Sequence, residues 1–433
     1  MGVGMVIRGV QLPPDGDGDG AAATADLVVE DGRVASIDGG RAPLPPGARD
    51  IDGRGLVALP GLVNCHNHVA MTLLRGYGAD LPLDRWLAER IWPAEERLDD
   101  EDVAAGALLG CLEMLAGGIT AFADMYDHMG AVADAVVRSG IRGVLARGVI
   151  GLRPGWEASL AEAEDLCRRA AAGGCDRLTA MLAPHAEYTC PREVWDATVA
   201  LARRLGVPLH THVSETVAEV EGCRQRHGCS PVRWLEEVGA LEVGVLAAHA
   251  VHVDAEDIAL LTRPGVAVSH NPVSNAKLGS GVAPVQDMLA AGVLVGLGSD
   301  GAASTDTLGL WEEMRAAGWI QKAVRRDPAA LSCGALWTMA TAAGAAALRL
   351  PAGCGRLGVG APADLILVRT DGLHRNPAPD LLAALVYATR DADVVLTVVA
   401  GRIAMERGEF PGIDHERLRA DVARRSLRLL EGA

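Results

Sequence analysis

Positive charge is scarce in this 433-residue sequence. Forty lysines and arginines face 56 acids, a formal net charge of −16 at neutral pH. That balance excludes a nucleic-acid backbone or an anionic membrane surface as the main partner. No charge-free apolar stretch of about 18 residues occurs, so no transmembrane helix is expected. The opening residues, MGVGMVIRGVQLPP, lack a basic segment followed by an apolar core, and Val6 stands where a myristoylation pattern needs Ser or Thr. There is no C-x-x-C pair among the nine cysteines, and the spacing from Cys223 to Cys229 matches no common zinc motif. All nine read as reduced thiols of a cytoplasmic protein that handles small molecules. Lysine is nearly missing: only Lys277 and Lys322 occur. Low complexity is confined to DGDGDG, residues 15–20, which lacks the downstream ligands of a calcium loop and reads as a solvated turn.

What is present is a rhythm. Eight short apolar runs recur between residues 56 and 300: LVALPGLV, GITAFAD, IRGVLARGVI, RLTAMLAP, GVPLHTHV, VGVLAAHA, GVAVSHN and VLVGLGSD. Between them lie stretches such as EDVAAGALLGCLEMLAGG and PREVWDATVALARRLG, whose apolar spacing and terminal Gly suit amphipathic helices. Strands alternating with helices imply parallel βα units, and eight of them an α/β fold of the (β/α)8 TIM-barrel type, with a doubly wound open sheet as the competitor. Outside the barrel, ADLVVEDGRVASIDG near the start, and GRLGVGAPADLILV and VVLTVVAGRIAMERGE near the end, are β-rich and punctuated by turns. Two such segments flanking a barrel most simply pair into one small β-sandwich. The expected division is therefore 1–57 and 355–433 for the sandwich, with a terminal surface helix in HERLRADVARRSLRLLEG, and 58–354 for the barrel.

Working groups in such barrels lie at the C-terminal ends of the strands. Strand one ends in His66-Asn67-His68, whose alternation lets two imidazoles face one ion. Later strands end in His185, His212, His249, His270 and Asp300. So rare a residue does not collect at strand ends by chance, and a metal centre is the reading. His66, His68, His212 and Asp300 form the expected ligand set, suited to zinc or ferrous iron. His210 rivals His212, since HTH is a second H-x-H; Glu215, three residues on, favours His212. His252 reads as structural. Asp300 is also placed to accept a proton from a water beside the metal, Glu215 to carry a proton to a ring nitrogen or leaving group, and His249 to hydrogen-bond the attacking water or the developing oxyanion. Binuclear barrels commonly bridge their ions with a carbamylated lysine on strand four; neither lysine lies near it, so one metal per chain is expected, Glu187 being the nearest alternative bridge. HNPVSNAKLGSG, residues 270–281, reads as a tight loop in which His270 either borders the pocket or fixes the loop. GLGSDG lacks the full dinucleotide motif, so NAD binding is not expected.

The passages GLVNCHNHVAMTLLRG, HVSET, HNPVSNAKLGSG and GLGSDGAAS resemble, in order and spacing, the amidohydrolase superfamily in its cytosine-deaminase- and chlorohydrolase-like branch. Within it the chain looks most like enzymes that deaminate 5'-methylthioadenosine and S-adenosylhomocysteine. The resemblance implies a metal-dependent hydrolytic deaminase, a purine nucleoside as substrate and a homo-oligomer. It assigns the same four ligands, Glu215 as proton shuttle and His249 beside the reacting water. It adds Glu95 in IWPAEERL as the carboxylate that holds ribose hydroxyls, and His185 in APHAEYTC as a nucleoside contact. Arg147, or else Arg153, would meet a substrate carboxylate. Glu187 departs from the family's PHAPY pattern, and an acid there is expected to repel a homocysteine carboxylate. The alternatives are an aminohydrolase or chlorohydrolase of another N-heterocycle (guanine, a pterin, a triazine, cytosine) and a metal-less scaffold.

Overall fold

The structure, a computed structural model, describes residues 4–13, 23–40 and 42–431. The DGDGDG run lies outside the described residues. Five strands open the chain: β1 (Met5–Leu12), β2 (Ala23–Glu30), β3 (Arg33–Asp38), β4 (Arg49–Asp52) and β5 (Leu56–Pro60). Eight parallel strands follow as β6 (Leu62–Asn64), β7 (Ile119–Tyr126), β8 (Arg142–Val149), β9 (Leu178–Pro184), β10 (Leu209–Val213), β11 (Val245–His249), β12 (Ala267–His270) and β13 (Leu294–Leu297). They pair in sequence order. Backbone bonds from Cys65 N to Leu297 O (2.7 Å) and from Asp300 N to His66 O (2.9 Å) join the last strand to the first and close the barrel.

The wall of the barrel is sorted by parity. Val63, Ala121, Ala123, Met125, Val144, Ala146, Met181 and Ala183 share one core inside it. Leu62, Phe122, Leu145 and Leu182 share another with the surrounding helices. Successive strand residues point to opposite faces, so the alanines and valines, with Met125 and Met181, fill the interior while Leu62, Phe122, Leu145 and Leu182 pack outward. The expected helices span Asp100–Ala116, begun by an Asp99 capping box, and Arg192–Leu205, ended by left-handed Gly206.

Both termini build the second unit. Strands β14 (Leu365–Arg369), β15 (Val394–Val399) and β16 (Arg402–Glu406) extend the sheet β16-β15-β14-β5-β1-β2-β3, with β4 beside β1. Ile7, Leu27 and Val29 from one half share an apolar core with Leu365, Leu396 and Val398 from the other, so the sheet folds over itself as a sandwich. The run LVALPGLV, expected as one barrel strand, is two. Leu56–Pro60 pairs antiparallel with β14, and only β6 enters the barrel. The expected boundary at 57/58 thus falls inside a sandwich strand. Gly61 makes the turn between them, where a Cβ would overlap the Thr120 side chain. Arg142, at the start of β8, is buried in a two-pronged pair with Asp364 (2.7 and 3.1 Å) that ties barrel to sandwich. The terminal helix, His415–Leu430, packs against Asp100–Ala116 through Arg425 and Asp102.

Candidate metal centre and pocket

His66 and His68 leave β6, His212 lies near the end of β10, His249 ends β11 and Asp300 follows β13. Asp300 (φ +65°) and His249 (φ +74°) both adopt the left-handed backbone that non-glycine residues rarely enter. The two strained residues belong to the same cluster. His66 Nε2 and His68 Nε2 lie 3.5 and 3.3 Å from Asp300 Oδ1, and His212 Nε2 lies 3.4 Å from His68 Nε2. His66 joins two groups of donor atoms close enough to share an ion, one with His68 and Asp300 and one with His212 and His249.

Each ring is aimed by its other nitrogen. His66 Nδ1 meets His210 Nε2 at 2.8 Å, His68 Nδ1 meets Met125 O at 2.5 Å, and His212 Nδ1 meets His185 O at 2.8 Å. The Nε2 atoms are thereby left for the centre, while His66 Nε2 is buried without a hydrogen-bond partner. Burial drives His212 and His210 well below the ordinary histidine range and His66 to about 4, so these imidazoles are neutral near pH 7. Neutral imidazoles, one with an orphaned nitrogen, beside an ionised carboxylate fit a divalent cation. Burial alone would raise the Asp300 carboxyl, but the imidazoles of His66, His68 and His249 outweigh it and hold it well below the usual carboxylate range. His210 touches the cluster only through His66.

Glu215 stands beside the donors, its Oε2 3.8 Å from His249 Nε2. Burial raises the Glu215 carboxyl, opposed by His249. His249 is raised as well: burial would lower it, and Glu215 and Asp300 prevail. Ser280 donates to Glu215 Oε1 (3.3 Å), and Asn275 Oδ1 accepts from His249 Nδ1 (2.8 Å).

One cavity is lined by His68, His212, Glu215, His249 and Asp300, and also by Glu95, Arg153 and His185. Trp86, Leu87, Ile91 and Trp92 add an apolar wall. Desolvation raises Glu95 to about 7, opposed by the Tyr126 hydroxyl, and burial lowers His185 to about 3. Two expectations fail. Arg147 is not at this cavity: the parity of β8 turns it outward, where it pairs with Asp127 and Glu162 (2.7 Å). Glu187 does not face the cavity either. It is buried against Arg226 (2.9 and 2.6 Å) and His227 (2.9 Å), so its charge is matched and cannot repel a substrate carboxylate. His270 is buried outside the pocket lining, and burial lowers it to about 3.

Other groups escaped sequence reasoning. Ser274 (2.6 Å) and Ser304 (3.0 Å) donate to Asp300 Oδ2, and Gly301 N to Oδ1 (2.7 Å). Ser274 and Asn275 both lie on the short helix Pro272–Lys277 after β12, where a tight loop was expected, and the compact Ser-Asn in HNPVSN was the available signal.

A closed parallel barrel whose strand ends gather imidazoles and a carboxylate beside a pocket is the architecture of a metal-dependent hydrolase. The chain belongs to the amidohydrolase family, whose model matches residues 57–404. It is 46% identical to a 5-methylthioadenosine/S-adenosylhomocysteine deaminase of Pelotomaculum thermopropionicum over 95% of each chain. Among solved structures it resembles a zinc-bound adenosine deaminase from Xanthomonas campestris, with a TM-score of 0.90, 29% identity and 98% of each chain covered. It also resembles the zinc complex of an atrazine chlorohydrolase from Arthrobacter aurescens, with a TM-score of 0.88 and 26% identity over 98% of this chain and 100% of that one. Among the described residues no helix is long and apolar enough to cross a membrane.

Proposed function

We propose that this protein is a metal-dependent deaminase that replaces the 6-amino group of an adenosine derivative with oxygen, releasing ammonia. 5'-Methylthioadenosine, S-adenosylhomocysteine, 5'-deoxyadenosine and adenosine are the candidate substrates. The observation that carries this reading is the joining, in one cavity, of the His/Asp donor set with Glu95, a carboxylate suited to ribose hydroxyls, and Arg153, a cation suited to an amino-acid tail. His66, His68, His212 and Asp300 would hold one zinc ion; their donor set also suits ferrous iron. Bound there, the ion would supply Lewis acidity and lower the pKa of water towards neutrality, so that hydroxide would be available.

The remaining work falls to the chain. Asp300 takes the proton of the attacking water while Ser274, Ser304 and the Gly301 amide fix its carboxylate. Glu215 carries a proton on a carboxyl oxygen to the purine ring nitrogen, for which its raised pKa prepares it. His249 stands at the oxyanion, its ring fixed by Asn275. His185 packs against the base, and Trp86, Leu87 and Trp92 exclude water around the 5' substituent. The likeness to a triazine-acting hydrolase motivates the second reading, hydrolysis of another N-heterocycle. Ammonia release is to be measured with the four adenosine derivatives, guanine and cytosine. Release from an adenosine derivative is expected, and Glu95→Gln should raise its KM about tenfold, the loss of one hydrogen bond to a charged group. Release from guanine or cytosine alone would overturn the assignment.

A further inference from the structure

Glu215 has a buried neighbour, Glu219, that does not line the pocket. Both oxygens of Glu219 are taken up by main chain: Oε1 accepts from Ser214 N at 2.8 Å and Oε2 from Glu215 N at 2.7 Å. Glu219 sits in the first turn of the helix Val217–His227, whose cap, Thr216, accepts from Glu219 N at 3.1 Å. An ordinary capping box would return the Glu219 side chain to the Thr216 amide. Here it reaches further back, to the two preceding amides. Those amides form the turn that leaves β10. Ser214 is left-handed there (φ +52°), a conformation that non-glycine residues rarely enter. The same residue's carbonyl is held from the other side by Val251 N (3.1 Å) and His252 N (2.9 Å). Glu219 and the 251–252 backbone therefore grip the strained turn between them.

We propose that Glu219 is the positioning residue for Glu215: its carboxylate fixes the Ser214–Glu215 turn and so the direction of the Glu215 side chain, without touching substrate. This rests on the reading of Glu215 as the proton carrier. A pair of acceptor oxygens shared by two amides is fitted to the task in a way an amide side chain is not, because Gln would set an NH2 against one of the two N–H groups. Asp keeps both acceptor oxygens but is shorter by one methylene.

The test is steady-state turnover of whichever heterocycle the wild type deaminates best, with metal content per chain, for Glu219→Gln, Glu219→Asp, Glu215→Gln and the double variant Glu219→Gln/Glu215→Gln. Glu219→Gln should lower kcat about 10- to 100-fold, with KM changed less than about twofold and metal content unchanged. Glu219→Asp should fall between it and the wild type. In the Glu215→Gln background the second substitution should change kcat less than about twofold, because the group it positions is already disabled. Losses that multiply in the double variant, a change confined to KM, or loss of metal with kcat would overturn the proposal. A wild type that deaminates only guanine or cytosine would remove the adenosine assignment while leaving this comparison intact.

Discussion

Replacing Glu215 by Gln is the sharpest probe of the site, because it should separate proton transfer from metal binding. The side chain is buried and of nearly the same volume as Gln, and its Oε1 contact with Ser280 survives as an amide oxygen accepting from the hydroxyl. Glu215 does not belong to either donor group at the centre, so metal content should stay near that of the wild type. What disappears is a carboxyl that burial has raised, and with it the ability to carry a proton near neutrality. A positioned acid/base contributes about 10²- to 10⁴-fold, which is about 2.7–5.5 kcal/mol of barrier. The expected result is a loss of kcat within that range at a KM close to the wild-type value, read by ammonia release alongside metal analysis of the same sample. A variant within tenfold of wild-type kcat would refute the assignment. A variant that loses its metal would place Glu215 among the ligands instead.

Arg153→Ala should raise KM for S-adenosylhomocysteine about tenfold and leave that for 5'-methylthioadenosine nearly unchanged, whereas Arg147→Ala should alter neither; equal effects on both substrates would refute a carboxylate contact. Asp364→Asn leaves the Arg142 guanidinium buried without its counter-charge and should cost about 3–5 kcal/mol in urea unfolding; a loss under about 1 kcal/mol would show that the pair does not hold the two units together. Burial, helped by His249, holds His270 at about 3 when folded, against about 6.5 unfolded. Between those values the unfolded chain binds a proton that the folded chain does not. This histidine therefore removes stability as pH falls from about 6.5 towards 3, at about 1.4 kcal/mol per unit. His270→Asn should flatten the measured slope by that amount, and an unchanged slope would contradict it.

The fold was legible because barrel strands buried on both faces leave continuous apolar runs, and all eight were visible. The split of the first run was legible too, since Pro60-Gly61 inside LVALPGLV is a turn signal within an apparent strand. Likewise the parity of β8, in which Val144 and Ala146 point inward, already places Arg147 on the outer face. Glu187 was different. Nothing in PHAEYTC announces that Arg226, 39 residues away on another helix, will neutralise it. Contacts that depend on how helices stack outside the barrel leave no mark on local sequence. The gathering of the site residues could be read from which strand ends they follow, while the aim of each ring could not, because it rests on carbonyls such as Met125 O and His185 O that every sequence possesses.

Strand β5 passes into β6 through a single glycine, and the histidine pair begins two residues after β6. A protein engineer wishing to borrow this catalytic barrel as a cassette therefore has no seam at which to cut. Cutting away the tails would strip β5 of its neighbours β1 and β14 and unmoor the segment from which the imidazoles hang. Chimeras between relatives should exchange the first sixty or so and the last seventy or so residues together or not at all, since each tail is half of one sheet.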